Sequence, residues 1–168
     1  MPSTSFQESL KKNSRLEFLT LGDPDVPRLD WRSNPIRPAL LHLLHLPTLT
    51  HLMVNDIKDF NVSDLIPCVN LKYLDIGNNM TVAVENTFPA AFPEDSIQLN
   101  ELVAGLGASS SSAIMKLSTA CRPDGQPIID FGSLSKITVI IGEPNDGEAS
   151  QELFKLCHVL TNVRVYSK

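Results

Sequence analysis

A chain of 168 residues, 42% hydrophobic and 20% charged, is long enough to bury one sizeable core and too apolar to stay disordered. Its net charge of −5 excludes a general phosphate-neutralising surface, so no nucleic-acid partner is expected. Twelve prolines and eight glycines spread along the chain favour many short elements joined by turns over a few long helices.

In chain order, Phe6 and Leu10 in FQESLKK mark an N-terminal helix or cap over residues 1–15, and Lys11, Lys12 and Arg15 read as its solvated face. The opening MPSTSFQESLKK has no apolar core of a signal peptide, and no window approaches the run of apolar residues that a membrane span requires. An intracellular placement, cytoplasmic or nuclear, with no membrane partner is therefore expected. RLEFLTL alternates as a strand and is followed by an acidic loop holding Asp23, Asp25 and Asp30. PALLHLLHL, residues 38–46, reads as a short apolar helix opened by Pro38 and cut off by Pro47. TLTHLMV is a second alternating run, and residues 62–66 form a short turn before Pro67. VNLKYLDIGNN is the best-formed strand, leaving the sheet on Gly77.

An insertion over about 80–98 carries Phe88, Pro89, Phe92 and Pro93, and a weaker strand follows in QLNELVA. A second insertion, 107–127, is Ser-rich and predicts a short helix over residues 111–117. SLSKITV is the next strand. Asn145 to Glu148 opens a helix in capping-box style that runs through Leu153, Phe154 and Leu156 into a last strand, LTNVRVY.

The six strands share one pattern, L-x-x-L-x-L. It is filled by Leu16, Leu19 and Leu21; by Leu49, Leu52 and Val54; by Leu71, Leu74 and Ile76; by Leu99, Leu102 and Ala104; by Leu134, Ile137 and Val139; and by Leu160, Val163 and Val165. The first leucines are separated by 33, 22, 28, 35 and 26 residues, irregular but in the range of solenoid repeats. Six residues before each stand Leu10, Leu43, Leu65, Pro93, Ile128 and Phe154, and three before stand Asn13, Leu46, Cys68, Ser96, Phe131 and Cys157. A mostly apolar pair spaced by three is what an inward helical or 3₁₀ segment supplies on the return side of a repeat.

LPTLTHLMV, SDLIPCVNLKYLDIG, DFGSLSKITVII and ASQELFKLCHVLTNVRV resemble the leucine-rich region of fungal, especially mushroom-type, F-box proteins. The resemblance covers about residues 16–166. It implies an α/β fold: an irregular leucine-rich repeat solenoid of about six turns, with a parallel sheet on the concave face and short helices and loops on the convex side. It also implies a single domain over 1–168 that recognises proteins, such as the substrates of a ubiquitin ligase. Only fifteen residues precede Leu16, so a family-type F-box is expected to be missing, and binding of the ligase adaptor is not expected. Asn79 alone occupies the repeat asparagine position, so cohesion between turns is expected from strand hydrogen bonds and apolar stacking rather than from an asparagine ladder.

Alternation turns the third, fifth and seventh strand positions away from the core. The expected partner-binding residues are therefore Phe18, His51, Tyr73, Glu101, Lys136 and Asn162; Thr20, Met53, Asp75, Thr138 and Arg164; and Asn55 and Tyr166. Val103, Gly22, Gly77, Gly105 and Ile140 fall on the same rows. Phe18, Met53, Tyr73 and Tyr166 are the candidate anchors, since aromatic and Met side chains dominate protein-binding surfaces.

Chemical alternatives are weaker. The Gly105–Ser112 loop follows a strand and offers the alternative of a small α/β enzyme or nucleotide-binding domain, yet it lacks both a third glycine and a Gly-Lys-Ser/Thr. His42, His45 and His51 would need to converge to hold zinc, and partly exposed histidines explain them more simply. Cys68 and Cys157 share one repeat position and read as small buried side chains; Cys121 has no base nearby in sequence. The chain is expected to have no catalytic residues, metal or cofactor.

Overall fold

The fold was analysed in a computed structural model, which describes residues 15–22, 25, 27–77, 80–85, 88, 93–105, 108–140 and 151. The expected N-terminal helix, the helix from Asn145 and the last strand with Asn162, Arg164 and Tyr166 lie outside the described residues.

The elements in chain order are β1 (Phe18–Leu21), β2 (Leu29–Asp30), α1 (Arg37–Leu44), β3 (His51–Val54), β4 (Ile57–Lys58), β5 (Phe60–Asn61), a 3₁₀ turn (Val62–Leu65), β6 (Tyr73–Asp75), β7 (Val82–Ala83), β8 (Glu101–Gly105), α2 (Ala108–Thr119), a second 3₁₀ turn (Phe131–Ser133) and β9 (Lys136–Ile140). Five strands form one open, wholly parallel sheet in the order β1-β3-β6-β8-β9. Their order is that of the first five L-x-x-L-x-L copies. The register also follows the pattern residue for residue, with Phe18, His51, Tyr73, Glu101 and Lys136 directly alongside one another.

Alternation sends the leucines to one side. Leu49, Leu52 and Val54, then Leu71, Leu74 and Ile76, then Leu99, Leu102 and Ala104 are all buried to within 1%. At the β1 edge Leu21 is buried while Leu16 and Leu19 are half-buried. Each fully covered Leu or Ile contributes roughly 1.5–3 kcal/mol of transfer free energy.

The register rests on a recurring hydrogen bond. The carbonyl of the second pattern residue accepts two N–H groups from the next strand, those of its own second and third residues. Glu17 O accepts from Thr50 and His51 at 3.0 and 2.9 Å, and Thr50 O from Lys72 and Tyr73 at 2.8 and 3.0 Å. Lys72 O accepts from Asn100 and Glu101 at 2.8 and 3.1 Å, and Asn100 O from Ser135 and Lys136, both at 3.0 Å. Hydroxyls add to this; Asn79, which alone fills the repeat asparagine position, lies outside the described residues. Thr48 and Ser133 each stand one residue before a first leucine: Thr48 donates to the preceding first leucine, Leu16 O, at 2.8 Å, and Ser133 Oγ shares its proton between Leu99 O at 3.0 Å and Asp130 O at 2.7 Å.

The opposite side is irregular. β2 pairs with β4, β5 with β7, and Ile97 bridges Ile129, all in parallel. Fully buried Trp31 and Phe60 pack there with ring centroids 4.8 Å apart. Asp64, in the 3₁₀ turn, gathers three donors: Trp31 Nε1 at 2.7 Å, Arg37 Nη2 at 2.9 Å and Asn61 Nδ2 at 3.4 Å. α1 begins with Pro38 in its first turn, as the sequence predicts, but it buries Leu44 rather than Leu43, which is half-buried. The helix carries the inward position one residue further on. In the next copy Leu65 and Cys68 do face the core, and Cys68 Sγ donates to Leu44 O at 3.1 Å.

α2 is longer than the predicted 111–117 segment and buries Ala113, Ile114 and Leu117, the i, i+1, i+4 set of one face. The two insertions are tied together by Arg122, whose guanidinium donates to the carbonyls of Pro93 at 2.7 Å and Glu94 at 2.6 Å and pairs with Asp124 at 3.1 Å.

Two outcomes test this packing. Gly22 has φ +84°, and a Cβ there would fall on the Asn55 carbonyl; Gly125 has φ +81° but open space around it. Gly22→Ala is expected to cost more stability than Gly125→Ala, which carries only the left-handed strain of about 1–3 kcal/mol. Equal losses in urea denaturation would contradict the close approach of the β1 and β3 exits. Burial, and secondarily the Asp64 charge, pushes the Cys68 thiol from an ordinary 9.0 up to about 12. An acid held neutral by the fold contributes fully below its unfolded value and loses that contribution as pH rises toward the folded one. Stability should therefore fall between about pH 9 and 12, and Cys68→Ala should flatten this slope.

Candidate binding face

The face of the sheet turned away from the leucines is built from the third and fifth pattern positions. Because the strands lie in register, their third residues form a continuous row. Phe18 stacks on His51 with centroids 4.2 Å apart and an interplanar angle of 25°, and His51 on Tyr73 at 5.4 Å and 30°. Offset aromatic pairs at such spacing attract by about 0.5–1.5 kcal/mol beyond their burial. His51 is held from below by Thr50 Oγ1, 2.8 Å from Nδ1. The row then changes character: Lys136 Nζ reaches Glu101 Oε1 at 2.7 Å, and Thr138 Oγ1 donates to the same oxygen at 3.1 Å. Half-exposed, this ion pair adds little stability.

Phe18 is 63% exposed and Met53, beside the aromatic row, 36%. The sequence therefore places Phe18, Thr20, His51, Met53, Tyr73, Glu101, Lys136 and Thr138 on one face, and the structure brings these eight together there. Asp75 and Val103 depart from expectation. Both occupy the fifth row, in register with Met53 and Thr138, yet they are only 8% and 5% exposed. Asn55 also differs: it is half-buried and wedged between the strand exits, and a Cβ on Gly77 would meet its Oδ1 at 2.5 Å. It is a spacer between the strand exits at Gly22 and Gly77 more than a contact residue. Gly105 is buried, whereas Ile140, at the β9 end, is half-exposed.

The carboxylate of Asp75 accepts the Gly77 N–H at 2.8 Å through Oδ1. Burial pushes its pKa up, and the Gly77 bond pulls the other way. The Tyr73 hydroxyl is raised by burial and then by the nearby charges of Asp75 and Glu101. The carboxyl groups of Asp75 and Glu101 thus lie near the Tyr73 hydroxyl, with Met53 and Val103 beside Asp75 in register.

Sequence patterns alone did not reveal the continuity of the aromatic row, although matched third positions carried the signal for it. The Asp64 hub has no local signal, since its donors lie up to 33 residues away.

The three histidines do not form a site together. His45 Nε2 lies 3.2 Å from the Asp64 carbonyl, His51 is in the stack and His42 is exposed. Among the described residues no three His, Cys, Asp or Glu side chains gather as a metal site. In the Gly105–Ser112 stretch Ser110 and Ser111 are buried, and Ser110 Oγ donates to Gly77 O at 3.4 Å. Its hydroxyl is turned to the neighbouring strand exit. No described helix is long and apolar enough to cross a membrane.

These features define a mixed α/β protein with an open parallel sheet. No family model matches the chain, and no curated protein or solved structure is significantly similar to it.

Asp75 gives a pH test. With its folded pKa raised, the neutral carboxyl is the form the fold prefers, so its contribution is full at acid pH and is lost as the group ionises. Asp75→Asn, whose side-chain oxygen can still accept the Gly77 N–H, should melt above the parent at pH 7 and level with it at pH 3. A variant less stable than the parent at pH 7 would overturn this assignment.

Proposed function

We propose that the chain is an irregular leucine-rich repeat solenoid and that it acts as a protein-interaction module through the concave face formed by its parallel sheet. The reading resembles the substrate-recognition region of an F-box-type ubiquitin ligase receptor. The observation that carries it is the shared register. Connections of 22 to 35 residues between first leucines are all absorbed outside the sheet, so that Phe18, His51, Tyr73, Glu101 and Lys136 stay in one row.

The face has the composition of a protein-binding surface. It offers aromatic rings and a Met for desolvated anchoring, with polar groups beside them for orientation. Its rings are held in place before any partner arrives, which lowers the ordering cost of binding.

A photo-crosslinking amino acid at Phe18 or Met53 is expected to capture a protein partner in cells, while the same group at exposed Met115 on α2 captures none of it. Tyr73→Asp should abolish the adduct and leave the circular dichroism unchanged. Adducts of equal yield from Met115, or adducts indifferent to Tyr73→Asp, would defeat the assignment of the face.

A further inference from the structure

The middle of the face is chemically uneven. Asp75 stands between Met53 and Val103 in register and is 92% covered, since its exposure is 8%. A carboxylate has room for about four hydrogen bonds. Asp75 accepts one, from Gly77, through Oδ1, and no described residue donates to Oδ2. Glu101, alongside Tyr73 on the next strand, takes both Lys136 and Thr138 on Oε1, and no described residue donates to its Oε2. Two carboxylates with unused oxygens therefore flank one aromatic side chain, against one ammonium, that of Lys136, among the described residues of the face.

Both open oxygens keep contact with solvent, so water satisfies them until a cation with several donors takes its place, and charge-assisted bonds to carboxylates are the strong ones. A planar guanidinium does so better than an ammonium, because it also lies favourably against aromatic faces and sheds its weak hydration more easily.

Resting on the reading of this surface as a protein-binding face, we propose that the segment seated on it presents an arginine. Its guanidinium lies beside Tyr73 and donates to the open oxygens of Asp75 and Glu101. Apolar atoms of the same segment cover Met53 and Phe18. The partner is thus a basic, arginine-bearing peptide segment, in keeping with the chain's net charge of −5.

The test is a titration of isotopically labelled protein with acetyl-Gly-Arg-Arg-Gly-amide, followed through the amide shifts of residues 73–77 and 101–105. The neutral isostere with citrulline for arginine and an acidic acetyl-Gly-Glu-Glu-Gly-amide serve as controls. The arginine peptide should shift these amides, the citrulline peptide should bind at least tenfold more weakly, and the acidic peptide should not bind. Asp75→Asn and Glu101→Gln should each weaken the arginine peptide at least fivefold in protein whose circular dichroism matches the parent. Equal binding of the citrulline peptide, or an affinity unchanged by both substitutions, overturns the proposal.

The failure of this inference differs from failure of the face itself. A partner that crosslinks to Phe18 and Met53 through a segment without arginine, and that binds Asp75→Asn normally, would refute the arginine and keep the protein-binding reading.

Discussion

Each described strand of the main sheet after β1 begins on the carbonyl of the residue that leads into the strand before it. Glu17, Thr50, Lys72 and Asn100 each hold two N–H groups of the following strand within 3.1 Å. Because side chains alternate with period two, a slip of one residue at any of these points would turn the leucines of a whole strand outward. A slip would also break two bonds at once. The leucine side, buried except at Leu16 and Leu19 on the β1 edge, and the aromatic row on the other face both follow from this one constraint. Thr48 adds a side-chain anchor towards one edge of the sheet, and Ser133, whose one proton is shared between Leu99 O and Asp130 O, adds another towards the opposite edge.

What could be read from the sequence follows from which interactions are local. Strand alternation is local, so the triads from Leu16–Leu19–Leu21 to Leu134–Ile137–Val139 gave the five described strands, their order and their register. The short helix opened by Pro38 and the turn before Pro67 were legible for the same reason. β2, β4, β5 and β7 were not, since a two-residue strand has no period to detect. The choice of Leu44 over Leu43 depends on where α1 starts its turn, and a shift of one residue rotates a helix by about 100°. Asp75 and Val103 were placed on the right face, but burial depends on neighbours from other parts of the chain.

The irregular side shows how unequal connections can still support a fixed sheet. Asp64 draws together the indole of Trp31, the guanidinium of Arg37 and the amide of Asn61, from residues separated by up to 33 positions. A largely covered ion pair of this sort stabilises little by itself, yet losing one partner leaves the other covered and uncompensated. It therefore specifies which loop lies where more than it adds net stability. Arg122 does the equivalent for the two long insertions, pinning residues 93 and 94 to residue 122 through main-chain carbonyls. The insertions are held to each other instead of being left to vary independently.

Constancy on one face and variation on the other bear on where function resides. A connection that lengthens from 22 to 35 residues can change sequence freely provided the next strand returns to the same carbonyl, so its length carries no information about the row. The row itself has no such freedom. Phe18, His51 and Tyr73 must all be planar and correctly spaced for their rings to stack at 4.2 and 5.4 Å, and none of them is needed to fill the core on the other side. Leaving Phe18 63% exposed forgoes burial that an ordinary sheet surface could avoid with a polar residue. A row kept in register, open to solvent at Phe18 and half-covered at His51 and Tyr73, is the feature on which the proposed binding role rests.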